Sequence, residues 1–397
     1  MSQVDVIGGV YGESCAFPFW NEVYGSAGRA AAGLGIHVDN VVLHSVLPPL
    51  QQKRLTLFFN AFDVDVEWRD GTQFVGFDYL HCMSDPMISP SLGNIEVVPA
   101  FKVKADVAIL FGMMECCPKV EAVTCVYDPQ SPGSPKRFRE TGSTADRLAF
   151  VANAQEIRKL TGMEINEGAM GLARSEGAEI VVAKCGLAGA RIFDQNGEIG
   201  SVPAFVTKNV FTIGSGDVFV AAFTLAWAIR GAHPVEAARY ASLAVAEYIE
   251  TSSLPLLSMD EAQTQNRLPV EVNLGEVYLA GPFRELGQRV TIDEARTLLS
   301  GMGLRVFSPV HDIGHGPAHQ VVKQDLEALD RCDCVLAILK GSSPGTVFEV
   351  GYAIAKGKPV FCVAQNMREN DLKLPSGAGA IIHNDFVSAI HQLAWRK

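Results

Sequence analysis

The stretch SSPGTVFEVGYAIAKGKPV, from Ser342 to Val360, follows directly on the apolar run CVLAILKG. An apolar run of strand length, then small residues, then apolar residues at helical spacing predict a strand, a tight turn and a helix start. Such a junction gathers unpaired backbone N–H groups and the positive end of a helix dipole, which suits a phosphate or a sugar hydroxyl. Glu349 is expected on the glycine-bounded turn that opens the helix, where its carboxylate can attack carbon.

The remaining sequence sets the frame for that feature. At 397 residues the chain exceeds the usual single-domain range, so two cores are expected. Charged residues make up 19% and no low-complexity tract occurs, which fits globular domains. No uninterrupted apolar run reaches membrane-spanning length, and the start MSQVDVIGGVYGES lacks a basic segment followed by an apolar one. The expectation is a cytoplasmic protein with no membrane partner. Nine cysteines without paired CxxC units argue against a disulfide framework or a zinc ribbon. A net charge of −11 without a basic cluster argues against nucleic acid and for small polar metabolites.

Apolar periodicity lapses in SMDEAQTQNRLPVEVNLG, so the expected division is residues 1–257, a linker at 258–274, and residues 275–397. Before the linker, strand-like runs (VDVIGG, DVAILFG, AVTCVYD, IVVAKCG) alternate with helix-like ones (TADRLAFVANAQEIRKLTG, GDVFVAAFTLAWAIRGA). After it, GEVYLAG, LRVFSP, CVLAIL and PVFCVA alternate with helix-like segments. That alternation predicts an α/β fold with parallel sheets in both halves. Residues 40–98 break the rhythm: HSVLPPL, RLTLFFNAFDVDVEW and TQFVGFDYLH read as antiparallel strands of a small lid.

Three ordered motifs in the last third, YLAGPF, QDLEALDRCDCVLAIL and PGTVFEVGYA, resemble the nucleoside 2-deoxyribosyltransferase family, which includes nucleotide N-glycosidases. The resemblance implies a flavodoxin-like or Rossmann-like doubly wound sheet, no cofactor, and assembly into dimers or larger homo-oligomers. It casts Glu349 as the nucleophile toward C1′, Asp325 as the acid assisting the leaving base, and Tyr278 as a hydrogen-bond partner of the carboxylate. An aromatic packed in the core reads the same way as Tyr278. Ser342, Ser343, Gly345 and Arg284 stand where the nucleotide-hydrolysing branch holds a 5′-phosphate, with Arg289 as a further candidate. Asp312 or His311 would contact the base, and Asn384 would complete a neighbouring subunit's site. Asp330 and Asp333 are read as helix end and strand entry. Histidines recur at His311, His315 and His319, but Gly314, Gly316 and Pro317 oppose the helix that would bring them together on a metal.

The N-terminal half resembles the ribokinase or pfkB family of sugar and nucleoside kinases through three pieces: TIGSGDVFVAAF, NAQE and GSAGRAAAGLG. The resemblance implies a ribokinase-like α/β sandwich with a small β lid, using ATP and Mg²⁺. Asp217 would be the base, with Gly214, Ser215 and Gly216 as the anion hole. Asn153 and Glu156 would organise Mg²⁺ and phosphates without a direct protein ligand set, and Lys184 would lie on the nucleotide. A plain helix N-cap and a solvated helix face are the structural alternatives. Phe211 and Glu13 depart from the family pattern, so two readings stand. One is a bifunctional enzyme acting on nucleosides, nucleotides or sugars. The other is a kinase-like sensor that binds a nucleotide without turnover and controls a nucleotide-degrading domain.

Overall fold

The computed structural model describes residues 3–314, 316–341 and 343–396. His315 and Ser342 lie outside the described residues. The chain forms two units: Met1–Thr207 with Phe211–Val270, and Lys208–Val210 with Glu271–Lys397.

The first unit is built on strands whose buried apolar runs, such as AILF, CVY and LAFVA in its centre, leave no solvent face there, while their first residues are exposed. In chain order it contains β1 (Gln3–Ile7), β2 (Gly12–Phe17), β3 (Trp20–Val23), α1 (Gly25–Leu34), β4 (Asn40–Leu47), α2 (Pro49–Asn60), β5 (Val64–Asp70), β6 (Gly76–His81) and β7 (Met87–Ser89). Then follow β8 (Lys102–Phe111), β9 (Lys119–Asp128), β10 (Thr144–Asn153), α3 (Ala154–Thr161), α4 (Ile165–Glu176), β11 (Ile180–Lys184), β12 (Ala190–Phe193), β13 (Glu198–Val202), α5 (Ser215–Thr224), α6 (Pro234–Thr251) and α7 (Met259–Thr264). A nine-stranded sheet runs β13-β12-β11-β10-β9-β8-β1-β4-β5, and a second sheet runs β3-β2-β6-β7. Strands β5 to β11 of the large sheet pair in parallel. Ile157 of α3 and Leu172 of α4 bury against Tyr127, Phe150 and Val181 on one face.

Three expectations change. Residues 40–98 are not an antiparallel lid: β4 and β5 pair in parallel at the edge of the large sheet, and RLTLFFN is helical, within α2. Pro49 occupies the first turn of α2, where its missing N–H costs nothing, and Leu55 and Phe59 bury one turn apart. The lid sheet instead joins β6 and β7 to β2 and β3, with β2 and β6 parallel. Second, TADRLAFVAN is strand β10, not helix. Its run LAFVA is buried on both faces between β9 and β11, a pattern that periodicity alone does not separate from a buried helix. Third, the 258–274 segment holds helix α7, closed by a capping box between Ser258 and Glu261.

The second unit contains β14 (Glu276–Ala280), α8 (Leu286–Gly301), β15 (Arg305–Phe307), α9 (Pro309–Asp312), α10 (Ala318–Arg331), β16 (Cys334–Ile338), α11 (Pro344–Ala355), β17 (Val360–Val363), α12 (Glu369–Gly377), β18 (Ile381–His383) and α13 (Phe386–Ala394). Its five strands are all parallel in the order β15-β14-β16-β17-β18. Chain order reverses between β14 and β16, the switch point where doubly wound sheets open a crevice at their carboxyl ends. Alternation along β14 sends Tyr278 and Ala280 to the face covered by α10 and α11, where they pack with Leu329 and Val350.

Candidate functional site

Three side chains of the second unit converge beside that switch point. Tyr278 comes from the middle of β14 and is fully buried. Its hydroxyl donates to Oε1 of Glu349 at 2.8 Å. Glu349 lies on the second turn of α11 rather than on the turn that opens it, because Pro344 already starts the helix. Burial pushes the Glu349 carboxyl up to about 7; the Tyr278 hydrogen bond opposes the rise and the charge of Asp325 on α10 adds to it. Burial also raises Asp325, whose Oδ1 is enclosed without a hydrogen-bond partner among the described residues. The Tyr278 hydroxyl is pushed far up by burial and by Glu349, so it stays a donor. The arrangement is a destabilised carboxylate, a second carboxyl that carries a proton more readily than usual, and a fixed donor between sheet and helix.

The other residues singled out in this half are placed as follows. Ser343 is the N-cap of α11 and Gly345 lies in its first turn, about one turn before Glu349. Arg284 is exposed on the segment between β14 and α8, with its backbone N–H bonded to Gln288. Arg289 pairs with Asp293. Asp312 is already engaged: Oδ1 accepts from Arg296 at 3.1 Å and Oδ2 from the Ser308 N–H at 2.7 Å. His311 contacts Asp293 and Ser308. Asn384 is exposed just after β18.

In the first unit Asp217, Gly214, Gly216, Asn153, Glu156 and Lys184 all line one pocket of about 470 Å³. Gly214 caps α5 with φ of 79°, a conformation that glycine adopts without strain. The Ser215 N–H, one of the three expected for an anion hole, donates instead to Thr212 O at 3.1 Å. Asn153 and Glu156 form the capping box of α3 while facing the same pocket. Lys184 ends β11 and donates to Asp128 at 2.6 Å. Burial pushes the Asp128 carboxyl up, with the Lys184 ammonium opposing.

The residue that sequence reasoning passed over is Arg29. It stands in α1 at 1% exposure and pairs with both oxygens of Glu13 and with Asp217 Oδ2 at 2.9 Å. Its Nε donates to Tyr248 Oη at 3.0 Å, and its guanidinium lies over the rings of Tyr24 and Tyr248. A Cβ on Gly214 would fall 2.1 Å from Arg29 Nε, so the arginine is packed directly on the turn that starts α5. The other oxygen of Asp217 accepts from Gln130 Nε2 at 2.9 Å. The available signal was one charge in the otherwise small-residue run GSAGRAAAGLG. Phe211, 4% exposed, packs against Trp20.

Comparison with known proteins separates the same two parts. The family model "Nucleoside 2-deoxyribosyltransferase" matches residues 277–385, and "pfkB family carbohydrate kinase" matches residues 98–256. A curated relative from Thermofilum pendens (strain DSM 2475 / Hrk 5), "Putative 2'-deoxynucleoside 5'-phosphate N-hydrolase 1", is 30% identical over 102 residues, 23% of this chain and 70% of its own length. Among solved structures, aminoimidazole riboside kinase from Salmonella enterica is 15% identical with a TM-score of 0.49, covering 66% of this chain and 98% of that one. Fructokinase from Vibrio cholerae O395, in fructose, ADP and calcium ion bound form, is 16% identical with a TM-score of 0.48, covering 64% and 94%. The chain thus belongs to the nucleoside 2-deoxyribosyltransferase family through its C-terminal part, and its residues 98–256 match the pfkB carbohydrate kinase model.

Proposed function

We propose that residues 275–397 form a glycosidic domain that cleaves the N-glycosidic bond of (deoxy)nucleoside 5′-monophosphates, and that residues 1–257, joined by a linker at 258–274, form a kinase-like domain serving the same metabolism. The observation that carries the first half is the Tyr278–Glu349 hydrogen bond at 2.8 Å, with Asp325 close enough to disturb the same carboxylate. The ionised Glu349 attacks C1′ as the bond to the base breaks. The electron pair of that bond leaves with the base, and Asp325 delivers a proton to the base nitrogen. Water, or a second base, then releases the sugar from the ester on Glu349. The start of α11, with Ser343, Gly345 and the positive end of the helix dipole, suits a 5′-phosphate, and Arg284 adds a cation. The printed name of the Thermofilum relative, an N-hydrolase of 2′-deoxynucleoside 5′-phosphates, supports monophosphates and water.

In the first unit Asp217 would take the proton of an acceptor hydroxyl, and Asn153, Glu156 and Lys184 would hold Mg-ATP, the phosphoryl donor. These residues fit the group, since a carboxylate, an amide and an ammonium face one pocket. A second reading is favoured by Arg29: with both oxygens of Asp217 engaged by Arg29 and Gln130, the domain binds its ligand without transfer. The test is chromatography of the protein incubated with nucleosides and nucleoside monophosphates, with and without Mg-ATP. Base release from monophosphates supports the glycosidic reading, and release from none of them overturns it. ATP consumption separates the two readings of the first unit.

A further inference from the structure

Strand β8 ends at Phe111 and β9 begins at Lys119, so the crossover between these parallel neighbours is residues 112–118. Parallel strands are ordinarily joined by a dozen or more residues, usually with a helix that covers the sheet. Here a short irregular strip takes the place of a helix, and under it lies a cavity of about 340 Å³, within the size range of small-molecule sites. Met113, Met114, Cys117, Ile95 and Tyr127 give it apolar walls, and Ser131 and Lys136 supply polar groups. Thioethers and rings adapt to a flat heteroaromatic face, and the polar groups meet its edge.

This cavity adjoins the Asp217 pocket: Gly112, Met114, Gln130, Ser131 and Pro132 line both. Gly112 is pressed onto the loop they share: a Cβ there would lie 2.3 Å from Gln130 O. Gln130 binds Asp217 through its side chain, and its backbone N–H donates to Asp128, the partner of Lys184. Gln130, on the wall shared with the cavity, therefore brings Asp217 within one side chain of a group held there. We infer that the first unit takes a nucleoside, with the base in the cavity beneath residues 112–118 and the sugar hydroxyls at Asp217. The inference rests on the kinase-like reading of this pocket and selects a nucleoside over a free sugar as its ligand.

The probes are pseudouridine and formycin, whose carbon–carbon glycosidic bonds the second unit cannot cleave, with ribose and ADP as comparisons. Equilibrium dialysis of the full chain should show these nucleosides binding at least about tenfold tighter than ribose, and Met113→Trp or Cys117→Phe, which fill the cavity, should weaken one class of nucleoside site at least about tenfold. Base release by the second unit should stay unchanged in both variants. The inference is overturned if ribose binds as tightly, if both folded variants bind as wild type does, or if they lose ADP rather than nucleoside, which would assign the cavity to a donor's adenine. Failure of phosphoryl transfer with Mg-ATP would overturn the kinase reading alone, because the dialysis needs no turnover.

Discussion

Asp217, a buried carboxylate, and Glu349, a half-buried one, both lie on helices that follow a small-residue turn, yet their surroundings are opposite. Asp217 has a guanidinium on one oxygen and an amide on the other. Glu349 has a single phenol O–H and a second carboxyl nearby. A buried charge that is paired and hydrogen-bonded has its desolvation offset, whereas one left near a like charge in an apolar setting does not. The first arrangement specifies a structure, and the second stores reactivity at the expense of stability.

The largest expected effect breaks the first arrangement. Arg29→Met leaves Glu13 and Asp217 buried without their counter-charge, and removing one partner from a buried ion network costs about 3–5 kcal/mol. Urea unfolding measures it. A loss under about 1 kcal/mol, the scale of surface pairs, would mean that Asp217 is not held as described.

For Glu349, activity and stability should move in opposite directions. Glu349→Ala should lower base release by about a hundredfold or more, the scale of losing one positioned charged group. Glu349→Gln should abolish release yet stabilise the fold. As pH rises from 4.5 toward 7, the unfolded state gives up this proton before the folded one, so stability falls through that window. Above pH 7 the Gln variant, free of that cost, should be more stable by about 2–3 kcal/mol. Equal unfolding midpoints at pH 8 would show that the carboxylate is not strained.

Tyr278→Phe sharpens the same point. The wild-type rate should fall as pH drops through about 7, because the attacking form of Glu349 is the ionised one. The phenol hydrogen bond favours that form, so its loss should move the acidic limb upward by about one pH unit. An unmoved limb in a folded variant would assign the limb to another group.

How far these contrasts were legible in the sequence depends on range. The parallel sheet of the second unit and the meeting of Tyr278 with Glu349 are legible because each element is short, apolar and punctuated, and the two residues sit in compact motifs. The placement of Glu349 on the second turn was missed because Pro344 opens the helix earlier than the glycine pattern implies. LAFVA reads as helix or strand alike when both faces are buried, and the alternating Leu55, Leu57 and Phe59 of a helix imitate a strand. Arg29 showed only as a lone charge in a small-residue run, because its partners, Glu13, Asp217 and Tyr248, lie up to 219 positions away and only tertiary packing joins them. The short β8–β9 crossover leaves no motif at all.

The smallest expected effect concerns phosphate, and it asks whether the second site is open enough to gain a charge from its ligand. Asp217 has its cation built in, whereas the start of α11 offers a dipole, and Arg284 stands exposed on the segment after β14. A dianionic 5′-phosphate would recruit that guanidinium into charge-assisted hydrogen bonds that a 5′-hydroxyl cannot match. Because Arg284 is exposed, solvent screens the gain, and Arg284→Ala should reduce the monophosphate-over-nucleoside ratio of kcat/KM by about tenfold at most. The nucleoside rate itself should be untouched. A ratio near one in the wild-type protein would remove the phosphate from the site, and an unchanged ratio in the variant would leave the α11 amides as its holders.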